Sequence, residues 1–411
     1  MNIGFLSTRL KGTDGVSLEV KKLAEILSES GHDNCFCAGE LEDRPGSYLV
    51  PLMHFDHPEI RQLGDRAFSG GKGDGVREEI VKLAEKLEGE VEDFVRKYDV
   101  DVLFVQNALS LPMNLPLGVA LAKYVKKNNF PTIGHHHDFW WERERFLSSG
   151  VEGLLEKYFP PDLESLEHVT INSLARRELK NRYGIPSEII HNVFDFSGNP
   201  PEEDDITREL RPELGLGAGE AFFLQPTRVV PRKNIEASIE LVSRLDGFSD
   251  KLFITHPAGD EGTAYLETLR ETAKKKNVNL RYEAERFGPE RSSGSGRIYS
   301  LRDAYLGADF VTYPSLKEGF GNALLETIYY RLPALVNRYP VYREDIAPLG
   351  FDFVEMDGEI DVEVVRCTRD VLLDAGRRSG MVESNYALGR RYFSYEHARR
   401  KLDKVFSALS F

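Results

Sequence analysis

The sequence predicts an α/β protein of two domains, each built on a doubly wound parallel sheet. Three observations carry that reading. The chain has 411 residues, long for a single core. Short apolar runs alternate with amphipathic stretches at helical spacing, the pattern of β-α-β units. The alternation breaks once, near residue 195, and then begins again. Composition is globular, 41% hydrophobic and 29% charged, so a sizeable core can be buried.

Taken in order, MNIGFLST is a strand, RLKGTDG a loop and VSLEVKKLAEILSESG a helix. In that helix Val20, Leu23, Ala24 and Leu27 recur on one face, and Gly31 supplies the stop. NCFCAGE is the next strand. The amphipathic helix VREEIVKLAEKLEGEVEDFVRKY then feeds the strand VDVLFVQN, and GVALAKYVKKNNF feeds PTIGHHHD. HVTINS and EIIHNVF are short strands around the helix LARRELKNRYG.

PPEEDDITRELRPELGLGAGE is acidic and rich in proline and glycine, so it reads as a connection. After it come the strands AFFLQPTR, KLFITHP, NLRYEA, DFVTYP and PALVN, with helices NIEASIELVSRL, AYLETLRETAKKKN and YSLRDAYLGA among them. The tail YFSYEHARRKLDKVFSALSF is a last helix, with Ser394 as its N-cap.

Charge and cysteine usage exclude several classes. A net charge of −14 argues against a nucleic-acid partner or an anionic-membrane surface. Cys35, Cys37 and Cys367 are the three cysteines, too few for a disulfide framework and suited to a reducing compartment. Cys35 and Cys37 share one strand face and read as small buried hydrophobes. The N-terminal apolar run is too short for a signal peptide, and no 18-residue apolar segment occurs. A cytoplasmic protein without membrane insertion is expected.

KEGFGNALLE, residues 317–326, changes from loop chemistry to helix chemistry between two carboxylates. Asn322 can cap a helix that runs to about Arg331, and Pro333 cannot continue it. Glu318 then lies in a loop at the strand's C-terminal edge and Glu326 one turn inside the helix. Gly319 and Gly321 let the backbone come close to a ligand, and N–H groups at the helix start suit a phosphate. Open α/β sheets bind ligands at this edge. PTRVVPRKN repeats the design, with Arg228 at a strand end and Lys233 just before a helix. Two such cations can neutralise a diphosphate. Alone, each stretch is equally a solvated turn. Together, at one sheet edge, they favour a ligand site.

GGKGDG (70–75) and GLGAG (215–219) are not dinucleotide fingerprints, because neither follows a strand and opens a helix. Both read as loops, as does RSSGSGR (291–297).

These stretches, with GTDGVSLEV, INSLARREL and IIHNVFDF, occur in the order found in the retaining GT-B glycosyltransferases of family 4, which the chain resembles over nearly its whole length. The resemblance implies two facing Rossmann-like domains with the active site in the cleft. It sets an acceptor-binding domain at 1–194, a nucleotide-sugar-binding domain at 195–385, and a helix at 386–411 returning to the first domain. It also implies roles. Arg228 and Lys233 would hold the diphosphate, Glu326 the ribose and Glu318 the donor sugar. Backbone at Gly319, Phe320, Gly321 and Asn322 would meet sugar and phosphate, and Gly15 and Val16 would approach the diphosphate from the facing domain. His137 is the closest match to a family histidine that touches the donor sugar, with His136 second.

GHHHDFWWERERF supplies the acceptor-side candidates His135, His136, Trp140, Arg143 and Arg145, and Asn107 follows the preceding strand. On a strand His135 and His137 share a face while His136 points away. No H-E-x-x-H or C-x-x-C pattern accompanies them, so no metal is expected, and no cofactor. Trp140 and Trp141 are the only tryptophans. Aromatic faces pack on sugar rings and arginine forks match carboxylate or phosphate. A core tryptophan and a Glu142–Arg145 pair are the plainer alternative.

The expected activity is transfer of a hexose, from GDP-mannose first and UDP-glucose second, to a small polar, anionic acceptor. HHHDFWWERERF also looks similar to enzymes that build mannosylglucosylglycerate-type compatible solutes, so glucosylglycerate is the first acceptor candidate. A nucleotide-sugar epimerase of the same fold and a non-catalytic nucleotide-sugar-binding protein are the rivals.

Overall fold

The computed structural model describes residues 1–12, 14–70, 75–217, 219–245, 250–258, 264–293 and 296–409. The glycine-rich stretches read as loops at 70–75, 215–219 and 291–297 fall partly outside these residues. The chain forms two α/β units. Met1–Val193 with Tyr395–Phe411 make the first, and Phe194–Ser394 the second.

Seven strands form the sheet of the first unit: β1 (Asn2–Leu6), β2 (Asp33–Ala38), β3 (Ser47–Leu49), β4 (Val102–Gln106), β5 (Thr132–His136), β6 (Leu166–Thr170) and β7 (Glu188–Ile189). Their order is β3-β2-β1-β4-β5-β6-β7, and every pairing is parallel. The strands are apolar on both faces because helices cover both. Cys35, Cys37, Leu103 and Val105 face one core with helices Val76–Tyr98 and Leu115–Asn128. Phe5, Phe36, Phe104 and Ile133 face the other. The last helix, Tyr395–Ala408, lays Ala398, Leu402, Val405 and Phe406 on that second core.

The return to the first unit begins at Tyr395 and not at 386. Residues 386–392 belong to the helix Ala375–Tyr392, whose Met381 is part of the second unit's core. Its Tyr386 hydroxyl donates to the Gly198 carbonyl at 2.9 Å.

In the second unit the strands are β8 (Ala221–Gln225), β9 (Asp250–Ile254), β10 (Asn279–Tyr282), β11 (Phe287–Gly288), β12 (Ser292–Ser293), β13 (Arg297–Ser300), β14 (Phe310–Tyr313), β15 (Ala334–Asn337) and β16 (Val354–Met356). Six of them form a sheet in the order β10-β9-β8-β14-β15-β16, again parallel throughout. The other three make a small sheet, β11-β13-β12.

Three elements depart from the sequence reading. The acidic connection contains a helix, Asp205–Glu213, because Asp204 caps Thr207 N at 2.9 Å and Leu210 is fully buried. Residues 287–300, read as loop and helix start, hold the small sheet. Asn322 is the first residue of the helix Asn322–Tyr329 and not its cap, which is Gly321.

Gly321 has φ +129°, a conformation side chains rarely adopt, and a Cβ there would stand 2.9 Å from the Tyr313 hydroxyl and 3.0 Å from that of Tyr339. The loop-to-helix junction therefore requires glycine. Gly321→Ala should destabilise the second unit by about 1–3 kcal/mol, and a calorimetric melting temperature equal to wild type would contradict this.

Candidate active site

Reversal of strand order between β8 and β14 opens a crevice at the carboxyl edge of the second sheet. The sequence builds this edge on a buried glutamine. Gln225 Oε1 accepts from Ser238 Oγ and from Thr312 Oγ1, each at 2.8 Å, and Nε2 donates to Thr227 Oγ1 at 2.8 Å. The exit of β8 is thus tied to β14 and to the helix Ile235–Ser243. Beyond Thr227 come the exposed Arg228 and the short turn Pro231–Lys233.

The loop after β14 is fastened at three points. Leu316 N donates to the Arg232 carbonyl at 2.8 Å, Asn337 Nδ2 to the Ser315 carbonyl at 2.9 Å, and the Tyr339 hydroxyl to the Phe320 carbonyl at 2.6 Å. Glu318 lies in this loop with 8% of its side chain exposed. Its carboxylate accepts from Lys233 Nζ and, at 3.1 Å, from Arg232 Nη1. Burial pushes the Glu318 pKa up, but Lys233 and Arg232 together hold it below the usual value. Burial lowers the pKa of Lys233, with Glu318 opposing.

Glu326 accepts from the Tyr305 hydroxyl at 2.6 Å, which orients it on the helix Asn322–Tyr329. The Phe320 ring is buried against Phe393, centroids 5.1 Å apart, so it has only backbone to offer a ligand. The geometry adds Arg232 and His256, neither read from the sequence. His256 follows β9, and its pKa falls to about 4 through burial and then the charges of Lys233 and Arg228. Counting two residues past the end of β9 would have placed it at the same edge.

In the first unit the order reverses between β1 and β4. Asn107, just past β4, sits at φ +57°, which lets its Oδ1 accept from His137 N at 2.7 Å and Asp138 N at 3.3 Å. Gln106 Oε1 meets His135 Nδ1 at 2.9 Å and His137 Nε2 at 3.1 Å. His136 turns the other way, its Nε2 2.8 Å from His168 Nδ1. It is wholly buried there and is not carried forward as an acceptor contact. Burial lowers the pKa of all four rings, to about 4 for His137 and His168. Asp138 and Asp14 act against that shift at His137.

A cavity of about 200 Å³ lies at this edge, its wall including Arg9, Asp14, Val16, Phe55, Asn107 and Asp138. Of the residues singled out in the sequence, Val16 and Asn107 line it. Gly15 opens the helix Gly15–Glu29 beside the cap Asp14. His135, Trp140, Arg143 and Arg145 do not line it. Trp140 packs on the first core, as the plainer reading had it. Arg143 donates to Asp138 Oδ2 at 2.8 Å. Arg145 donates to the Met113 sulfur and lies over the Phe146 ring, 4.5 Å from its centre. Glu142 accepts from Phe139 N at 2.8 Å. A larger hollow of about 920 Å³, between β16 and the helices Val362–Leu373 and Ala375–Tyr392, holds none of the candidate residues. Among the described residues no group of three His, Cys, Asp or Glu could hold a metal ion, and no helix is long and apolar enough to cross a membrane.

Comparison with known proteins agrees with this geometry. A solved glycosyltransferase from Rickettsia africae superposes with a TM-score of 0.70 at 12% identity, over 100% of this chain and 98% of that one. HepE of Anabaena, solved with UDP and glucose, gives 0.67 at 14% identity over the whole of both chains. The fold is therefore that of the GT-B glycosyltransferases. Residues 206–354 match the family model described as glycosyl transferases group 1. The mannosylglucosylglycerate synthase of Petrotoga mobilis is 35% identical over 386 residues, 88% of either chain. That of Thermotoga maritima is 32% identical, covering 96% of this chain and 97% of its own. The chain belongs to the group 1 glycosyltransferases, and these synthases are its relatives within them.

Two outcomes are expected of the site's electrostatics. Lys233→Met leaves the buried Glu318 with Arg232 as its remaining cationic partner, at a cost of about 3 kcal/mol. The double variant Lys233→Met/Glu318→Gln should recover much of it, and calorimetry showing additive losses would refute the coupling. The histidines respond to acid. Unfolded, they protonate near pH 6.5, whereas in the fold they stay neutral to about pH 4. Between those values the unfolded chain binds more protons, so stability present above pH 6.5 is lost as pH falls. A melting temperature that does not decline from pH 7 to pH 5 would contradict it.

Proposed function

We propose that the protein is a retaining, metal-independent hexosyltransferase that moves mannose from GDP-mannose to glucosylglycerate, with UDP-glucose as the second donor candidate. The observation that carries this is the cluster of Arg228, Arg232, Lys233 and Glu318 at the switch point of the second sheet. The names of the two synthase relatives, mannosylglucosylglycerate synthase, support the transferred sugar and the acceptor.

In this reading the second unit takes the donor. Arg228 and Lys233 hold the diphosphate, and Lys233 exchanges part of its contact with Glu318 for phosphate oxygens. Glu318, held ionised, accepts from donor-sugar hydroxyls. Glu326 takes the ribose, and the backbone of Gly319–Asn322 meets sugar and phosphate. The first unit takes the acceptor, with Asn107 on its cavity wall, and His137, held by Asn107 and Gln106, keeps the donor-sugar contact that the resemblance gives it. The leaving phosphate removes the acceptor proton on the face it departs from, which keeps the anomeric configuration. Catalysis then rests on positioning and on fixed positive charge where the phosphate charge develops.

The test is transfer from GDP-mannose and UDP-glucose, with and without glucosylglycerate, in EDTA, with the product's anomeric configuration read by NMR. Mannosyl transfer with retention should persist in EDTA. Arg228→Ala and Lys233→Ala should each lose about 2–4 kcal/mol of transition-state stabilisation in kcat/KM. An inverted product, activity restored only by Mg²⁺, or a donor epimerised without acceptor would overturn the reading.

A further inference from the structure

We propose that Arg9 reads an anionic group of the acceptor and sets acceptor specificity in the first unit's cavity, a role that Arg143 and Arg145 do not fill. The inference rests on the glycosyltransfer reading above and names the residue behind its acceptor class.

Arg9 stands three residues past β1, on the cavity wall. Its guanidinium lies over the Phe55 ring, 5.2 Å from the centre. Stacking of this kind holds the plane of the fork while leaving its N–H edges available. The carboxylate beside it is Asp14, with Oδ2 at 3.4 Å from Arg9 Nη2. That is longer than the 2.7–2.9 Å typical of a charge-assisted hydrogen bond. Asp14 cannot close the gap freely, because three donors already hold it. Oδ1 accepts from Val16 N at 3.1 Å and Ser17 N at 3.2 Å, and Oδ2 accepts from Ser17 Oγ at 2.7 Å. Among the described residues the Arg9 guanidinium donates no hydrogen bond.

The other arginines are committed. Arg143 is paired with Asp138, the second carboxylate on the cavity wall, which also reduces the repulsion an incoming anion would meet there. Arg145 is on Met113 and Phe146. Size points the same way. A cavity of about 200 Å³ is below the ~300–1,000 Å³ usual for drug-sized ligands. It suits the acid end of one small hydroxy acid, with Ser7 and Thr8 at hand for hydroxyls. A carboxylate facing the fork would form two parallel N–H···O bonds.

The experiment compares kcat/KM for glucosylglycerate with that for glucosylglycerol, which differs by lacking the carboxylate, in wild type, Arg9→Met, Arg9→Lys and Arg143→Ala. Wild type should prefer the acid. Arg9→Met should cut that preference on the order of tenfold or more, chiefly through KM for the acid. Arg9→Lys, a point charge without the fork, should fall between, and Arg143→Ala should keep most of the preference. A preference that survives in Arg9→Met, or that Arg143→Ala alone abolishes, overturns the role of Arg9 and leaves the anionic acceptor standing. A wild-type enzyme without preference for the acid overturns both.

Discussion

The buried ion pair of Lys233 and Glu318 is the interaction around which the second unit is organised. Taking two charges out of water costs several kcal/mol per ion, and the attraction between them offsets this only when geometry and extra hydrogen bonds are good. Those conditions are met here by a second cation, Arg232, and by two loops that share a backbone hydrogen bond at Leu316. Gln225 holds the root of one loop, and Asn337 and Tyr339 hold the other. None of these groups needs to touch a ligand. Their work is to keep a charged pair in place where it is expensive to bury.

Such a pair is also a means of storing charge for chemistry. In the proposed donor site a lysine held among Glu318, Arg232 and Arg228 would change partners with little movement, since an arriving phosphate replaces one anion with another. In a site of low dielectric that fixed charge is worth more than in water. The neutral state of His256, enforced by burial and by the same cations, keeps the positive charge concentrated on the arginines and the lysine.

The first unit uses the same edge of the same kind of sheet with a different electrostatic solution. His135 and His137 are buried with their pKa values lowered, and Gln106 and Asn107 orient them. Charges line the cavity beyond them: Arg9 and Asp14 on its wall, and Asp138, which accepts from Arg143. One sheet edge thus carries a cation-rich site, the other a pocket of balanced charge. Both lie at the point where strand order reverses, because diverging connections leave a crevice there.

Much of this was legible in the residues themselves. Alternating apolar runs and amphipathic periods announce parallel sheets without any partner being known, since period and burial are local properties. Arg228, Lys233, Glu318 and Glu326 could be placed at a sheet edge by counting from strand ends, as could the opposite faces of His135 and His136. Elements that depend on distant partners could not. The helix Asp205–Glu213 exists in an acidic stretch because Leu210 finds a core and Thr207 finds Asp303, 96 residues away. Arg143 and Arg145 sit in a suggestive motif, yet Asp138 and Met113 occupy them. Arg9 lies in an unremarked loop and faces a cavity. Sequence by itself determined the alternation of strands and helices that builds the two parallel sheets, and which residue types reach the edge. Tertiary structure alone decided which charges meet and which remain open, because a side chain's partner is set by neighbours brought together only when the chain is folded.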